Sequence, residues 1–373
     1  MSRTATITIE GTVFEGWKEV EVSRSLDDAA ASFSLEVTEK DFGVTFAAAR
    51  ISPGDGCTVH LDGILAVTGF VDVVQREFSS SDHGVSVSGR SKTADLVDAT
   101  PDVQGGQFQG YDVAAVSGAV AEGFEAEVSV ELDESEPIED VQTWPGETAF
   151  RTIERLARQQ GGIVTDDPSG RLVVKRIDPD APPVAALVEG QNILAASATF
   201  RADKRHSEVI VKGQRPGTDE AFAEDAAQLE ARVIDPAVRR HRPLVIIAEE
   251  PGDQAALRRR ADWEVAQRAA EAVEAQVSVV GWTYAPGALW TPGDAVRLTS
   301  PMLAVDSVLV IKKATYTQTV KGGTITSMTL CPPEALTTKP AKPAGQAQGR
   351  GRDGQSFALS DNWNLSKPVE PAR

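Results

Sequence analysis

Hydrophobic and polar residues alternate with a period of two through most of the chain's first hundred residues. Phe33, Leu35 and Val37 alternate with polar residues, and the same pattern recurs around Val59 and Val85. Short turns rich in Gly, Pro, Asp and Ser separate these segments. Because successive side chains of a strand point to opposite faces, the pattern predicts an antiparallel sheet in a sandwich or a barrel.

The pattern changes between about residues 100 and 185. The segment PGETAFRTIERLARQQGG places Phe150, Ile153 and Ala157 on one helical face and ends at two glycines. The turn DDPSG and the apolar run RLVVKRI follow it. A capped amphipathic helix next to a short apolar strand predicts a small α+β domain.

Strand patterning returns in the second half of the chain, at 195–200 and 207–211, and again from Val277 to the hairpin ATYTQTV-KGG-TITSMTL. The turn Pro-Gly-Asp precedes a strand in both halves, in ISPGDGCTVHL from Ile51 and in LWTPGDAVRL from Leu289. Proline fixes φ and glycine supplies a positive φ, so this turn is common and the match alone is weak. It suggests two related β-domains in one chain.

A helix interrupts the β-pattern between about residues 214 and 276. Apolar side chains recur every fourth residue from about Asp253 onward, which gives the helix an apolar stripe. The run RPLVIIAEE before it predicts a strand, so this segment is expected to be an α/β insertion. The stripe consists of Leu257, Ala261, Val265, Ala269 and Val273.

The last segment, 336–373, has the composition of a flexible tail. It is rich in Pro, Gly and Gln, carries six basic and three acidic residues, and has too little apolar surface to order by itself. An apolar island at Phe357, Leu359, Trp363 and Leu365 interrupts it. This island is a candidate docking element for a partner protein, and a free end with no partner is the alternative.

The overall charge excludes some function classes. The chain has 373 residues, enough for two to four domains, with 37 basic and 55 acidic side chains and a net charge of −18. A nucleic-acid coat or a polybasic membrane binder needs excess Lys and Arg to meet phosphate, so neither is expected. A hydrophobic content of 41% indicates a folded rather than a disordered chain.

Candidate catalytic and targeting features are sparse. Two distant cysteines, Cys57 and Cys331, provide neither a disulfide framework nor a zinc knuckle, which favours a reducing compartment. The start of the chain has no apolar signal core, and no run of 18 apolar residues predicts a membrane span. The four histidines lack metal-ligand spacing, and the acidic run LDESEPIED lacks the register of a calcium loop. We therefore predict no catalytic residue, no metal site and no cofactor.

Three tryptophans, Trp17, Trp282 and Trp290, lie next to glycine or turn residues in β-regions. Packing in the core is the favoured interpretation, because a large aromatic side chain contributes most when it is buried. Stacking on a ligand is the alternative.

Several long strings, in order along the chain, resemble the baseplate hub protein of Mu-like contractile-tailed phages. The resemblance covers residues 5–335 and leaves out the tail. The strings are GTVFEGWKEVEVSRSLDDAAASFSLEV, VTGFVD, VSVSGRSKTADLVDATP, GETAFRTIERLARQQGG, VEGQNIL, RRHRPLVIIAEE, VGWTYAPGALWTPGD and VLVIKKATYTQT.

The resemblance implies a fold that is mainly β with α+β insertions. Two related tube-type β-barrel domains are expected, together with two smaller peripheral domains. The expected boundaries are 5–99 for the first barrel, 100–185 for the small α+β domain, 186–213 with 277–335 for the second barrel, 214–276 for the insertion with the long helix, and 336–373 for the basic tail.

The resemblance also implies a function without catalysis. Such hubs are similar to trimeric adaptors that join the hexameric tail tube to a trimeric spike, and two like domains per chain let three chains match a six-fold ring. The implied partners are two further copies of the chain, the tube protein, the spike and other baseplate proteins. DNA is expected to pass through without specific binding, in a virion baseplate assembled in the host cytoplasm.

Two hypotheses concern particular charges. The motif GRSKTADLVD predicts a strand, a glycine turn and a short helical turn, which leaves Arg90, Lys92 and Asp95 exposed as candidates for ion pairs between subunits. Acidic residues that line the lumen would repel DNA phosphate within a Debye length of about 8 Å, and acidity that only keeps the protein soluble is the alternative.

Two other functions compete with the hub. A tail-associated cell-wall hydrolase needs a catalytic constellation, and none stands out. A carbohydrate-binding module would use exposed tryptophans.

Overall fold

A computed structural model of the chain describes residues 4–39, 50–80, 83–103, 105–132, 138, 141–213, 229–248 and 254–337. The fold is mainly β, as predicted, and one sheet of thirteen strands contains strands from both halves of the chain. Three separate clusters of buried apolar side chains lie in the long sheet, in an α+β unit and in a smaller α/β unit.

The first seven strands belong to the long sheet, and buried residues recur at every second position in most of them. Their order across the sheet is third, fourth, seventh, sixth, fifth, first and second, and all neighbouring pairs are antiparallel. They are β1 (Ala5–Ile9), β2 (Thr12–Phe14), β3 (Glu19–Ser25), β4 (Ser32–Glu39), β5 (Gly56–Leu61), β6 (Ile64–Phe78) and β7 (His83–Ser91).

The α+β unit predicted after residue 100 is present. Its third helix begins at the N-cap Thr148, whose hydroxyl accepts a hydrogen bond from Arg151 N (3.4 Å), and it buries Ile153 and Ala157 as the pattern predicts. The elements are α1 (Ala94–Asp98), β8 (Gln107–Phe108), α2 (Val113–Val120), β9 (Val128–Glu131), β10 (Val141–Gln142), α3 (Ala149–Gln159), β11 (Ile163–Asp166) and β12 (Leu172–Lys175).

Hydrogen bonds of buried groups attach this unit to the long sheet. Arg24 Nη2 donates to the main-chain oxygen of Asp166 (3.0 Å), and Asp166 Oδ2 accepts from Ala31 N (3.0 Å). Thr68 Oγ1 donates to the oxygen of Pro168 (2.9 Å). Arg24 shares the buried side of β3 with Val20 and other core residues, so its contact lies on the core side of the sheet, whereas Thr68 stands opposite Thr58 on the other side.

The second half of the chain adds six strands to the long sheet and places a smaller α/β unit between them. The elements are β13 (Ala185–Val188), β14 (Ala195–Phe200), β15 (Glu208–Lys212), β16 (Glu230–Ile234), β17 (Pro243–Ile247), α4 (Gln254–Glu271), β18 (Val273–Val280), β19 (Thr283–Ala285), β20 (Ala288–Leu289), β21 (Ala295–Ser300), β22 (Val305–Thr319), β23 (Gly323–Cys331) and a 3₁₀-helix (Pro333–Leu336).

The smaller unit begins earlier than the sequence predicts. Strand β15 was expected in the second β-domain, but it pairs with β16 and β17 in a separate sheet. Its side chains Val209 and Val211 pack in one cluster with Leu257 and Ala261 of α4. The period-2 pattern predicts that a segment forms a strand with one buried face. It does not specify the sheet in which that strand pairs.

The long helix ends earlier than its apolar stripe predicts. Helix α4 stops at Glu271, and Val273 opens β18, where it stands opposite Phe200. Val273, Ala275 and Val277 are buried in alternation with polar residues. Val273 fits both the helical spacing of the stripe and the period-2 pattern of the following strand. Because β14 pairs with this segment, Val273 adopts the strand conformation.

The motif GRSKTADLVD differs from its prediction at one glycine. Gly89 lies inside β7 and not in a turn. A Cβ atom there would lie 2.1 Å from the main-chain oxygen of Phe70 and 2.6 Å from Phe33 Cζ. The glycine is needed because neighbouring groups approach it closely. The short helix that follows, α1, buries Ala94 and Leu96 as predicted.

One 15-residue strand, β22, joins the two halves of the sheet. Its first half pairs with β21, its second half pairs with β3, and β23 pairs along its other side. The β3 pairing is antiparallel and runs from Lys313 opposite Ser25 to Gln318 opposite Val20. The paired strands follow an open path from β14 to β2, with β13 joined through β21, so the two closed barrels stay a prediction.

The two halves repeat the same local structure around their Pro-Gly-Asp turns. Gly54 and Gly293 have φ values of +92° and +98°. Gly54 N donates to Val71 O and Gly293 N donates to Ile311 O, each at 2.8 Å. Each acceptor lies in a 15-residue strand, directly before a β-bulge. The weak repeat of the sequence is therefore a repeat of structure.

The repeat extends across neighbouring strands. Strands β3, β4, β7, β6 and β5 stand in the same order as β14, β18, β23, β22 and β21. The corresponding strands β5 and β21 have six residues each, β6 and β22 have fifteen, and β7 and β23 have nine. Within this shared order, β14 occupies the place that β3 holds in the first half.

The turn glycines provide a stability prediction. Substitution of Gly54 or Gly293 by alanine is expected to lower the free energy of unfolding by about 1–3 kcal/mol, because a side chain at a strongly positive φ is strained. Gly56→Ala is the matched control, since φ is not positive there and the new Cβ would meet only Phe70 Cε1 at 3.9 Å. Urea unfolding measures all three. A control as unstable as the other variants would contradict the argument.

Candidate subunit interface and polar sheet face

The face of the long sheet opposite its core is polar. In β3, Val20 and Val22 are buried while Glu19 and Glu21 are exposed. Residues directly opposite each other on neighbouring strands share a face, so the register assigns the side chains of the other strands. The charged residues on this face are Glu19, Glu21, Glu36, Glu77, Glu274, Asp306, Arg90, Arg297 and Lys313, and the residues between them are mainly Ser, Thr and Gln.

The polar face concentrates acidic charge at a cost. Glu19 and Glu36 stand directly opposite each other on β3 and β4, and like charges in that position reduce the stability of a sheet. The α+β unit contacts the core side of the sheet through Arg24 and Ala31, and it contacts the polar side at Thr68 and Arg90. The part of the polar face around Glu19 and Glu21 is exposed and is available to line a channel or to meet a partner.

Arg90 lies on this face within a cluster of carboxylates. Its Nε is 2.8 Å from Asp72 Oδ2, and its Nη2 is 2.8 Å from Asp98 Oδ2. Burial is the largest cause that raises the pKa of Asp95, and the charges of Asp72 and Asp98 raise it further, while Arg90 lowers it. The guanidinium thus offsets the mutual repulsion of three carboxylates.

The three candidate interface residues lie close together in the chain, and two of them have partners within it. Arg90 binds Asp72 and Asp98, and the Lys92 ammonium lies 3.9 Å from the carboxylate of Glu125. Asp95 is exposed. A role of this trio between subunits stays a prediction. No sequence pattern indicates a role for Asp72, which the bulge of β6 places beside β7.

The three tryptophans beside glycine or turn residues are core residues, as predicted. Trp17, Trp282 and Trp290 are each at most 4% exposed. Trp282 Nε1 donates to the oxygen of Thr317 (3.2 Å), and Gln318 Nε2 donates to the oxygen of Trp17 (3.3 Å). Two of them therefore flank the end of β22 where the halves of the sheet meet. These three side chains cannot serve as an exposed platform for a carbohydrate.

The remaining predictions concern the tail, metal sites and membrane spans. The apolar island of the tail lies outside the described residues; it consists of Phe357, Leu359, Trp363 and Leu365. Among the described residues, no group of three or more His, Cys, Asp or Glu side chains is placed to hold a metal ion. Within the same ranges, no helix is both long and apolar enough to cross a membrane.

Four protein-family models match the chain. They represent a first, a second, a third and a fourth domain, and they follow one another in that order. They are Mu phage baseplate assembly protein GpP-like, N-terminal (4–91); baseplate hub protein gp44-like, second domain (93–176); tail protein NMB1110-like, third domain (205–263); and Mu phage baseplate assembly protein GpP, fourth domain (253–339).

Known proteins extend the similarity to the whole length. The baseplate hub protein gp44 of Escherichia phage Mu is 27% identical over 379 residues, which cover 99% of this chain and 98% of gp44. The 43 kDa tail protein of prophage MuSo2 from Shewanella oneidensis has a TM-score of 0.77 and 29% identity, covering 90% of this chain and 99% of that one.

More distant structures share the fold. The tail protein of Neisseria meningitidis MC58 has a TM-score of 0.72 at 23% identity, covering 90% of this chain and 99% of that one. An E. coli component of the type VI secretion system has a TM-score of 0.53 at 11% identity, covering 87% of this chain and 76% of that one. The resemblance to the hub proteins of Mu-like phages that the sequence indicates is confirmed.

The cluster around Arg90 provides a test with a pH dependence. Arg90→Ala is expected to lower the free energy of unfolding by about 1 kcal/mol at pH 7, because two partly exposed ion pairs are lost. Asp72, Asp95 and Asp98 are then left without their cation. The loss should shrink as the pH falls from 7 towards 4, because the pKa of Asp95 is raised by burial and by its acidic neighbours, and its protonation removes part of the repulsion. Arg90→Lys keeps the charge and should lose less.

The same variant tests the predicted role between subunits. Thermal unfolding at pH 4 and pH 7 measures stability, and light scattering measures the mass of the assembly. An equal loss at both pH values would contradict the electrostatic account. Unchanged association of Arg90→Ala would contradict a place for Arg90 in a subunit interface.

Proposed function

We propose that this chain, a relative of Mu-like baseplate hub proteins over nearly its whole length, is the hub of a contractile phage tail. Three copies form a ring that joins the six-fold tail tube to a three-fold spike and encloses the passage for DNA. The role is structural and involves no catalysis. The assembly belongs to the virion baseplate, formed in the host cytoplasm.

The observation that carries this proposal is the repeat within the long sheet. Each chain holds two sets of five strands in one order, with the same Pro-Gly-Asp turn and the same bulge. A ring of three ordinary chains has three equivalent surfaces and cannot match a six-fold partner. Three chains with two like sheets each can present six such surfaces.

The polar face of the sheet supports the proposed passage. Its charged groups are mostly carboxylates, and hydroxyl and amide groups lie between them. Carboxylates repel phosphate over roughly one Debye length, about 8 Å at physiological salt. A channel that bound many phosphates would hold the DNA in place. We assign this face to the lumen, and the α+β unit to the outside of the ring.

The partners follow from the proposed position. One end of the ring meets the tail tube protein and the other meets the spike, and other baseplate proteins contact the peripheral units. Exposed apolar side chains at hairpins of the sheet are available for such contacts. They include Phe78 before the β6–β7 turn, Met302 between β21 and β22, and Val320 between β22 and β23, each at least 78% exposed.

Mass measurement tests the assembly. We expect the purified chain, alone or mixed with the spike protein of the same particle, to form a trimer. Three chains of 39.6 kDa have a mass of about 119 kDa, which light scattering resolves from a monomer. A monomer under both conditions would contradict the hub. A cell-wall zymogram of the same sample is expected to show no clearing, and a cleared band would favour the hydrolase.

Charge reversal tests the lumen. A variant with Glu19, Glu21 and Glu274 changed to lysine is expected to bind double-stranded DNA far more tightly than the wild type, since the ring would gain nine lysines around its channel. Its affinity should fall steeply between 50 and 200 mM salt. The matched control changes three exposed carboxylates of the α+β unit, Asp102→Lys, Glu122→Lys and Glu127→Lys. Fluorescence anisotropy with labelled DNA measures both, and equal affinities would place the sheet face outside the channel.

A further inference from the structure

The strand edges of the long sheet that lack partners among the described residues include one edge of β14 and the last part of one edge of β6. Strand β14 pairs with β18 along one edge only. Residues 73–78 of β6 pair with β7 along one edge only, because β5 ends its pairing at Phe70. Each free edge presents unpaired main-chain N–H and C=O groups, which readily pair with another strand.

The internal repeat identifies what fits these two edges. Strand β6 corresponds to β22, and residues 73–78 correspond to 313–318, since each segment starts directly after the bulge. In β22 that segment is paired with β3 of the same chain. The strand that corresponds to β3 in the other half is β14. Within one chain, β3 pairs with the edge of residues 313–318 in β22. The corresponding edge of β6, residues 73–78, is unpaired, and the strand that corresponds to β3 is β14.

We propose that β14 of one copy pairs antiparallel with residues 73–78 of β6 in the next copy. This inference rests on the proposed function for the presence of further copies, and it adds which strands meet and in which register. The contact repeats the β3–β22 pairing between molecules. It uses different surfaces on the two copies, so it is head to tail.

The register follows from the pairs already present. Phe33 opposes Gly89, which opposes Val71, and Ala275 opposes Leu330, which opposes Ile311. Phe33 thus corresponds to Ala275.

The partners of these two residues complete the register. Val22 opposes Phe33 and Ala198 opposes Ala275, so Val22 corresponds to Ala198. Tyr316 opposes Val22 in the chain, and Arg76 therefore opposes Ala198 between copies. The neighbouring pairs are Val74 with Phe200, Gln75 with Thr199, Glu77 with Ser197 and Phe78 with Ala196.

Existing hydrogen bonds show which residues of β14 direct their main-chain N–H and C=O groups towards its unpaired edge. Leu26 N donates to Lys312 O (2.9 Å), so every second pair from there along β3 and β22 is hydrogen-bonded. In β3, the residues of these hydrogen-bonded pairs are even-numbered. Since Val22 corresponds to Ala198, the corresponding residues of β14 are also even-numbered. Arg201 N donates to Ala272 O (2.7 Å) on the β18 side. Odd-numbered residues of β14 therefore face β18, and Ala196, Ala198 and Phe200 face the free edge.

A hydrogen bond fixes residues 73–78 of β6 at the position that corresponds to residues 313–318 of β22. Arg76 Nη2 donates to the oxygen of Ile51 (2.5 Å), two residues before the first Pro-Gly-Asp turn. Tyr316, which corresponds to Arg76, donates from its hydroxyl to the oxygen of Trp290, two residues before the second turn. Different side chains thus fix the two strands to the same point of the repeat, and the edge needs no rearrangement before it pairs.

The chemistry of β14 also fits a strand that is covered in the assembly. Its sequence AASATF has no charge and no proline, whereas exposed edges of natural sheets usually carry such protection against pairing. Phe200 and Val74 are both half-buried against the main cluster. Opposed to each other, they would cover the remaining apolar surface of both.

Cysteine cross-linking tests the register. Gln75 and Thr199 are exposed and would form a non-hydrogen-bonded pair, in which Cα atoms are about 4.5 Å apart, close enough for a disulfide. We expect the variant Gln75→Cys/Thr199→Cys to form covalent trimers under mild oxidation. The native thiols should not interfere, because burial raises the pKa of Cys57 and of Cys331 to about 12, so little reactive thiolate forms.

Mixing experiments establish the head-to-tail arrangement. The single variants Gln75→Cys and Thr199→Cys should not cross-link alone and should give a covalent dimer when mixed. A dimer from either single variant alone would indicate a two-fold contact and overturn the proposal. Gln75→Cys/Ser197→Cys is the register control, since diagonal residues lie roughly 7–8 Å apart. Ser23→Cys/Thr315→Cys is the positive control, because this pair should close within one chain.

The outcomes separate the pairing from the hub function. Covalent trimers of Gln75→Cys/Thr199→Cys, with little product from the register control, support the pairing. A trimer by mass that gives no cross-link at this pair overturns the pairing and leaves the proposed function standing. A chain that stays monomeric alone and with the spike protein, and gives no cross-link, overturns both.

Discussion

The structure depends on how two 15-residue strands use their hydrogen-bonding edges. A strand has two edges, and a strand this long can pair with different partners along its two halves. Strand β22 does so: β21 takes the first half of one edge, β3 takes the second half, and β23 takes the other edge. The bulge between Ile311 and Lys313 lies where the partner changes. Bulges bend and twist a strand, so this position turns one half of the sheet relative to the other.

The sequence predicted most elements of this fold but not how they connect. Period-2 alternation located the strands, because one face of each is buried and the other is not. It assigned β15 to the wrong sheet, because alternation carries no information about the partner strand. The apolar stripe with helical spacing extended the long helix to Val273, which pairs with β14 as part of a strand instead. The repeat was visible in the sequence at Pro-Gly-Asp, where a positive φ restricts the residue type to glycine in both halves. Elsewhere the halves share geometry and not side chains, as Arg76 and Tyr316 demonstrate.

The candidate site was harder to predict than the fold for a related reason. Arg90 could be found from its motif, but its partners Asp72 and Asp98 come from a bulge and from the end of a short helix. The polar face likewise appears only when the register places Glu19 opposite Glu36. The opposed carboxylates of Glu19 and Glu36 reduce the stability of the sheet, so the fold does not explain them. The acidic surface that they create explains them more readily.

The two joints of the proposed ring differ in chemistry in a way that suits their different tasks. In the joint within the chain, the buried Arg24 opposes Ala314 and is held by Asp166 of the α+β unit. A buried charge is costly to desolvate, but here that cost arises once, during folding. The joint between copies has Phe200 and Val74 at the corresponding places. An apolar pair can leave water and return to it without an unpaired charge, so the same backbone geometry can serve as a permanent connection at one joint and as a site of association at the other.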